Sequence, residues 1–254
     1  MAREALQLVS RADITEPIPQ PQAAPKLRLV PSSGHDGKAK FAIDIDSILY
    51  DFSTPAREAF LKLSETTGDR GLLRGTYISW VEWRTPADVC GLETWMEVIS
   101  MCHAPEVILR QKPFAGAVDT LQALVSEGYD LMYCSNRNEE AADATRQWLQ
   151  QEGFPLGDHV EVRCTMEDKC SYLAECQYII DDRPKTLIDF IHSPNWDQAK
   201  GERKGLSIMY EYNRALTDIP NIFLSPTWAG LAGWLVRKGF LPTPPHTALE
   251  THAG

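Results

Sequence analysis

Lys40-Phe-Ala-Ile-Asp-Ile-Asp-Ser-Ile-Leu-Tyr-Asp-Phe52 starts as an apolar run and breaks into two acids one residue apart. The run predicts a buried strand over 40–46, and alternation along it points Asp44 and Asp46 to the same side of its C-terminal end. Two carboxylates meeting there repel one another, so at least one requires a cation or a proton. Downstream, Thr54 and Pro55 predict the N-cap and first position of a helix whose Ala59, Phe60 and Leu63 share one face. A buried strand leading into an amphipathic helix is the opening move of a sheet covered by helices.

The same alternation continues to the end of the chain. Residues 115–127 predict a helix stopped by Gly128, followed by the strand Tyr129–Cys134. A helix over 139–152, a strand over 160–164, a short helix near 168–175 and a strand over 177–181 come next. Strands over 205–210 and 221–224 and a closing helix from Pro226 to Lys238 complete the body. The fold class is α/β, a mostly parallel sheet flanked by helices. Residues 53–112 carry three of the seven tryptophans and no convincing strand, which predicts a small helical insert after the first strand.

Four features fall at predicted strand ends, where open α/β sheets place their ligand crevice. The first is Asp44/Asp46. A metal-held carboxylate there can attack phosphorus, and its neighbour can exchange a proton with the leaving oxygen and with water. The second is Ser135-Asn136-Arg137, whose hydroxyl and backbone N–H groups suit phosphoryl oxygens. Lys169 is the third, a fixed positive charge, and Asp181-Asp182 after an apolar strand is the fourth. Oxygen-only ligands of this kind suit Mg²⁺. Each pattern is common alone as a solvated turn or a surface charge; their shared structural position sets the four apart.

In that order the four resemble the motifs of the haloacid dehalogenase-like (HAD) phosphohydrolases, over about residues 40–225. Within that superfamily, Asp44-Ile-Asp-Ser-Ile-Leu-Tyr-Asp-Phe52, Ile180-Asp-Asp-Arg-Pro184 and the run from Pro113 to Val118 resemble the 5'(3')-deoxyribonucleotidases. The resemblance implies a HAD-like Rossmannoid core with a helical cap and a Mg²⁺-dependent phosphomonoesterase acting on nucleoside monophosphates, deoxyribonucleotides first. It implies catalysis by Asp44 and Asp46 through an aspartyl-phosphate and phosphate binding by Ser135, Asn136 and Lys169. Metal binding would fall to Asp44, Asp46, Asp181 and Asp182, and substrate contacts to Phe52, stacking on the base, and Arg137. Trp80, Trp83 and Trp95 are candidates for a base-binding wall or for cap core. Ser47, where the family has glycine, and Ser135-Asn136-Arg137, in place of Thr-Ser-Pro, depart from the pattern.

Composition narrows the alternatives. Of 254 residues 43% are hydrophobic, enough for a large core, while 25 Lys and Arg against 35 Asp and Glu leave a net charge of −10. That balance disfavours nucleic acid and anionic membranes as partners, and with it a polynucleotide 3'-phosphatase, the rival enzyme reading. A catalytically silent HAD-like binding module is the other rival, opposed by the retention of Asp46. No apolar run approaches the roughly 20 residues that span a bilayer. Six cysteines without CxxC spacing suit reduced thiols, and the N-terminus has no secretory h-region, so a cytoplasmic location is expected. Prolines 17, 19, 21, 25 and 31 predict a disordered tail over 1–39, and prolines 242, 244 and 245 predict a second over 241–254. The oligomeric state is open, with a homodimer among the options.

Overall fold

A computed structural model describes residues 39–77, 85–137, 140–194, 196–197 and 200–243. The expected tails therefore lie outside the described residues apart from 39 and 241–243, and so do Trp80 and Trp83. Six parallel strands form one sheet: β1 (Lys40–Asp44), β2 (Asp130–Ser135), β3 (Val160–Cys164), β4 (Cys176–Ile180), β5 (Lys204–Ile208) and β6 (Ile222–Ser225). Their order is β3-β2-β1-β4-β5-β6, so the direction of winding reverses between β1 and β4. A crevice opens at the C-terminal ends of strands at such a reversal.

Strands buried on both faces explain the near-continuous apolar runs. Phe41, Ile43, Leu131, Tyr133, Tyr178 and Ile180 pack into one core layer. Ala42, Met132, Cys134 and Ile179 pack into the opposite one. Nine helices among the described residues cover the sheet or fill the insert: α1 (Ser53–Thr67), α2 (Arg74–Tyr77), α3 (Thr85–Cys90), α4 (Leu92–Cys102), α5 (Pro105–Ile108), α6 (Ala117–Ser126), α7 (Glu140–Gln151), α8 (Pro184–Ile191) and α9 (Trp228–Arg237). Gly128 takes φ +82° after α6, the left-handed stop expected of it. Among the described residues no helix is long and apolar enough to cross a membrane.

The start of α1 differs from expectation. The helix begins at Ser53, and Thr54 is not its cap. The Asp51 carboxylate accepts hydrogen bonds from the Ser53 N–H (3.0 Å) and from the hydroxyls of Ser53 (2.6 Å) and Thr54 (2.7 Å). A full negative charge ahead of the first turn outcompetes a hydroxyl for those donors.

Helices α1–α5 form the insert between β1 and β2, a helical cap on the sheet. Its two ends meet in a narrow stem, where Tyr50 and Pro113 form an antiparallel bridge and the Phe114 N–H donates to the Leu49 carbonyl at 2.7 Å. The Trp148 indole of α7 pins the stem through the Gln111 carbonyl at 3.0 Å. Inside the insert Phe60 stacks on Trp95 at 6.1 Å, and Gly75 approaches so closely that a Cβ there would lie 2.4 Å from the Phe60 ring. Any larger residue at 75 would force α1 and α2 apart.

Candidate active site

β1 and β4 end side by side, and the residues at their ends converge. Asp44 is the last residue of β1, Asp181 and Asp182 follow β4, and oxygens of all three lie within 4.8 Å of one another. Lys169, carried by a short 3₁₀ turn (Lys169–Ser171) before β4, reaches into the group. Its Nζ lies 2.5 Å from Asp44 and 2.8 Å from Asp181. All four side chains are buried. Three acids and one ammonium leave a formal charge of −2 in a closed site when all are ionised, which favours a further cation.

The titration of the group expresses that shortage. Burial, helped by repulsion from Asp181 and Asp46, pushes Asp44 up to about 7 against the pull of Lys169. Asp182 is raised well above the ordinary range by burial and by Asp44 and Asp181, although Tyr212 donates a hydrogen bond to it. Burial would lower Lys169, but Asp181 and Asp44 outweigh it and hold the ammonium charged. The donor set is carboxylate oxygen throughout, which fits a hard divalent cation such as Mg²⁺.

A pH dependence follows. Unfolded carboxyls ionise near pH 4. Between about 4 and about 7 the folded, chelated protein holds more protons than the unfolded chain, and this site's contribution to stability falls as pH rises. Cation binding needs the ionised ligands and relieves the cost. The expected result is a Mg²⁺-induced rise in Tm, measured against EDTA, that grows from pH 5 to pH 7.5. A rise of constant size across that window would contradict this assignment of the charges.

Asp46, expected as a fourth metal ligand, lies outside the three-carboxylate group. The strand ends at Asp44, so strict alternation stops before Asp46. Its carboxylate enters a second set of partners. Arg137 donates from Nη2 at 2.6 Å and Nε at 3.4 Å, the Tyr50 hydroxyl donates to it, and Ser135 Oγ donates at 3.2 Å. His103 Nε2, at the end of α4, stands 3.4 Å away. Burial pushes Asp46 upward, but Arg137 and then His103 outweigh it and hold the carboxyl well below the usual range.

Two further expectations change for reasons of packing. Arg137 is fully buried and also donates to Thr145 Oγ1 at 2.7 Å, so its guanidinium positions Asp46 and is not presented to a substrate. Phe52 is 3% exposed, edge-on to Trp95 and tilted against His103, so its ring belongs to the packing between stem and insert and has no open face for a base. Asn136 directs its amide at the carbonyls of Thr165 (3.3 Å) and Glu167 (2.9 Å), which leaves its backbone N–H as the group suited to an anion. Ser135 remains beside Asp46 at the end of β2.

Tyr50, His103, Thr145, Tyr212 and Asn213 have no place in the sequence reading. Tyr50 stands in the opening stretch and Tyr212-Asn213 follow the end of β5, positions that the strand-end rule covers. His103 sits on the insert, 57 residues from Asp46 along the chain, and no local pattern marks it.

No family model matches the chain. Among solved structures, a haloacid dehalogenase-like family hydrolase from Streptococcus pneumoniae superposes with a TM-score of 0.51 at 17% identity, covering 78% of this chain and 98% of that one. A HAD family hydrolase from Deinococcus radiodurans R1, solved with phosphate and sodium bound, has a TM-score of 0.51 at 14% identity, covering 80% and 97%. These likenesses establish the HAD fold. Among curated proteins, a Bacillus cereus protein named "Putative nucleotidase" is 34% identical over 85 residues, 32% of this chain. The match spans 45% of that relative, so this chain aligns with less than half of its length.

Proposed function

We propose that this chain is a cytoplasmic, Mg²⁺-dependent phosphomonoesterase of the HAD type that hydrolyses nucleoside monophosphates, deoxyribonucleotides first. One observation carries the reading. Three buried carboxylates surround Lys169 at the reversal of winding, and a fourth, Asp46, is held apart from them on a separate cationic partner. A fold-bearing role alone explains neither the crowding of the first three nor the care with which Asp46 is kept ionised. The nucleotide substrate is supported by the 5'(3')-deoxyribonucleotidase-like motifs and by the name of the Bacillus cereus relative.

In this mechanism Asp44 attacks phosphorus in line and forms an aspartyl-phosphate, while Asp46 delivers a proton to the departing sugar oxygen. Asp46 takes up that proton from solvent as the anionic phosphate arrives beside it and opposes the pull of Arg137. It then returns to the ionised form and removes a proton from the water that opens the aspartyl-phosphate. Lys169, the Ser135 hydroxyl and backbone N–H groups after β2 stabilise the phosphoryl oxygens. Asp44, Asp181 and Asp182 would hold Mg²⁺, which supplies charge neutralisation for the phosphoryl group. The core would run over 40–240 with residues 53–112 as a cap that excludes water from the site.

The test is phosphate release, with Mg²⁺ or EDTA, from deoxy- and ribonucleoside monophosphates, sugar phosphates and a 3'-phosphorylated oligonucleotide. Mg²⁺-dependent release from the nucleoside monophosphates is expected. Release from the oligonucleotide alone would replace the reading with end repair, and no release from any substrate would replace it with a binding module.

A further inference from the structure

The turn after β5 grips Asp182 twice. Asn213 is fully buried, and its amide nitrogen lies 3.1 Å from the Asp182 carbonyl, 2.9 Å from the Ile208 carbonyl and 3.1 Å from Ser207 Oγ. Its side-chain oxygen accepts from the Tyr210 N–H at 2.8 Å, which closes the turn. One residue earlier, the Tyr212 hydroxyl donates to Asp182 Oδ2 at 2.5 Å. A carboxylate has two oxygens, and with Oδ2 bound to Tyr212 the side chain's rotation is set and Oδ1 is left for another partner.

The same turn holds the loop after β1. Tyr210 and Tyr212 stack with parallel rings 5.2 Å apart, and the Tyr210 hydroxyl donates to the Ser47 carbonyl at 2.5 Å. The Ser47 hydroxyl in turn bonds the Tyr212 oxygen. Ser47 has φ +62°, one of two non-glycine residues in that region among the described residues. Such a conformation is disfavoured for a non-glycine residue and persists where its surroundings over-determine it. Here the surroundings are the two tyrosines.

We propose that Tyr212 is a positioning residue for the metal ligand Asp182, and that Ser47, in its left-handed conformation, completes the support by holding the Tyr212 hydroxyl. The loop that follows Asp44 and the acid that follows β4 are thereby locked to one turn, so that two ligands from different strands keep a fixed separation. Partners of this kind, one bond behind a ligand, commonly set metal affinity over 10–100-fold. The inference rests on the metal reading above.

The experiment is Mg²⁺ titration of the full chain, followed by calorimetry and by thermal shift, for wild type, Tyr212→Phe and Ser47→Gly. Phenylalanine keeps the ring stack, and glycine accepts the backbone at 47, so both variants test the hydroxyl chain by independent routes. Expected are a roughly 10-fold weaker Mg²⁺ affinity for Tyr212→Phe and a smaller loss for Ser47→Gly, with a cooperative melt retained by both variants in EDTA. Saturating Mg²⁺ should restore kcat for Tyr212→Phe. Affinities within twofold of wild type in both variants would overturn the proposal and leave the metal site standing. Absence of Mg²⁺ binding to wild type would overturn both.

Discussion

Asp44→Asn should lower phosphate release by at least about 10⁴-fold while leaving the protein folded. The amide has nearly the same shape as the carboxylate but no anionic oxygen to attack phosphorus. The charge balance of the site adds a second, independent sign. Burial and repulsion from Asp181 and Asp46 outweigh the attraction of Lys169 at this position, so an ionised side chain at 44 is disfavoured in the absence of a cation. In EDTA at pH 8 the variant should therefore melt no lower than wild type, and its Mg²⁺-induced rise in Tm should shrink. Turnover within tenfold of wild type would exclude Asp44 as nucleophile. Lost activity accompanied by a much lower Tm would assign the loss to unfolding instead.

Arg137→Leu should damage both stability and turnover. Removing one partner of a buried ion pair leaves the other uncompensated, at a cost of about 3–5 kcal/mol. Tyr50, Ser135 and His103 stay beside Asp46, which puts the expectation at about 3 kcal/mol, or a Tm lower by roughly 6–12 °C for a body of this size. The sign with pH follows from Asp46. Its folded pKa is depressed, so its contribution is present above pH 4 and lost as pH falls through the folded value. Without Arg137 burial dominates and the carboxyl is raised, so the deficit should be largest at neutral pH and shrink towards pH 4. Turnover should fall by on the order of 10²–10³-fold, because an acid–base group out of line loses most of its effect. Arg137→Lys, which keeps charge but not the two-pronged geometry, should recover part of the stability and little of the turnover. A deficit independent of pH would mean that Arg137 acts through packing, with no hold on Asp46.

Both predictions concern residues that stand at strand ends in the linear chain. Periodicity and punctuation marked all six strands to within a few residues, since the central runs are buried on two faces and nearly free of polar interruptions, while the edge strand β3 alternates apolar and charged residues. The strand-end rule then marked Asp44, Asp46, Ser135, Lys169, Asp181 and Asp182. It applied equally to the end of β5, yet Tyr212-Asn213 passed without notice because neither residue carries a charge that demands a partner.

What the sequence determined by itself is the alternation of buried strands and amphipathic helices, the parallel sheet this requires, and which acids stand at its rim. Those are consequences of local pattern, where the side-chain period and the need to bury apolar faces suffice. Tertiary structure alone decided how the acids divide: Asp44 with Asp181 and Asp182 around Lys169, Asp46 with Arg137, Tyr50 and His103. It also decided that Phe52 and Arg137 are interior and that a tyrosine beyond the neighbouring strand β5 supports Asp182. The electrostatic energy of an acid depends on charges brought within a few ångströms by the winding of the sheet, and sequence distance carries no information about that separation.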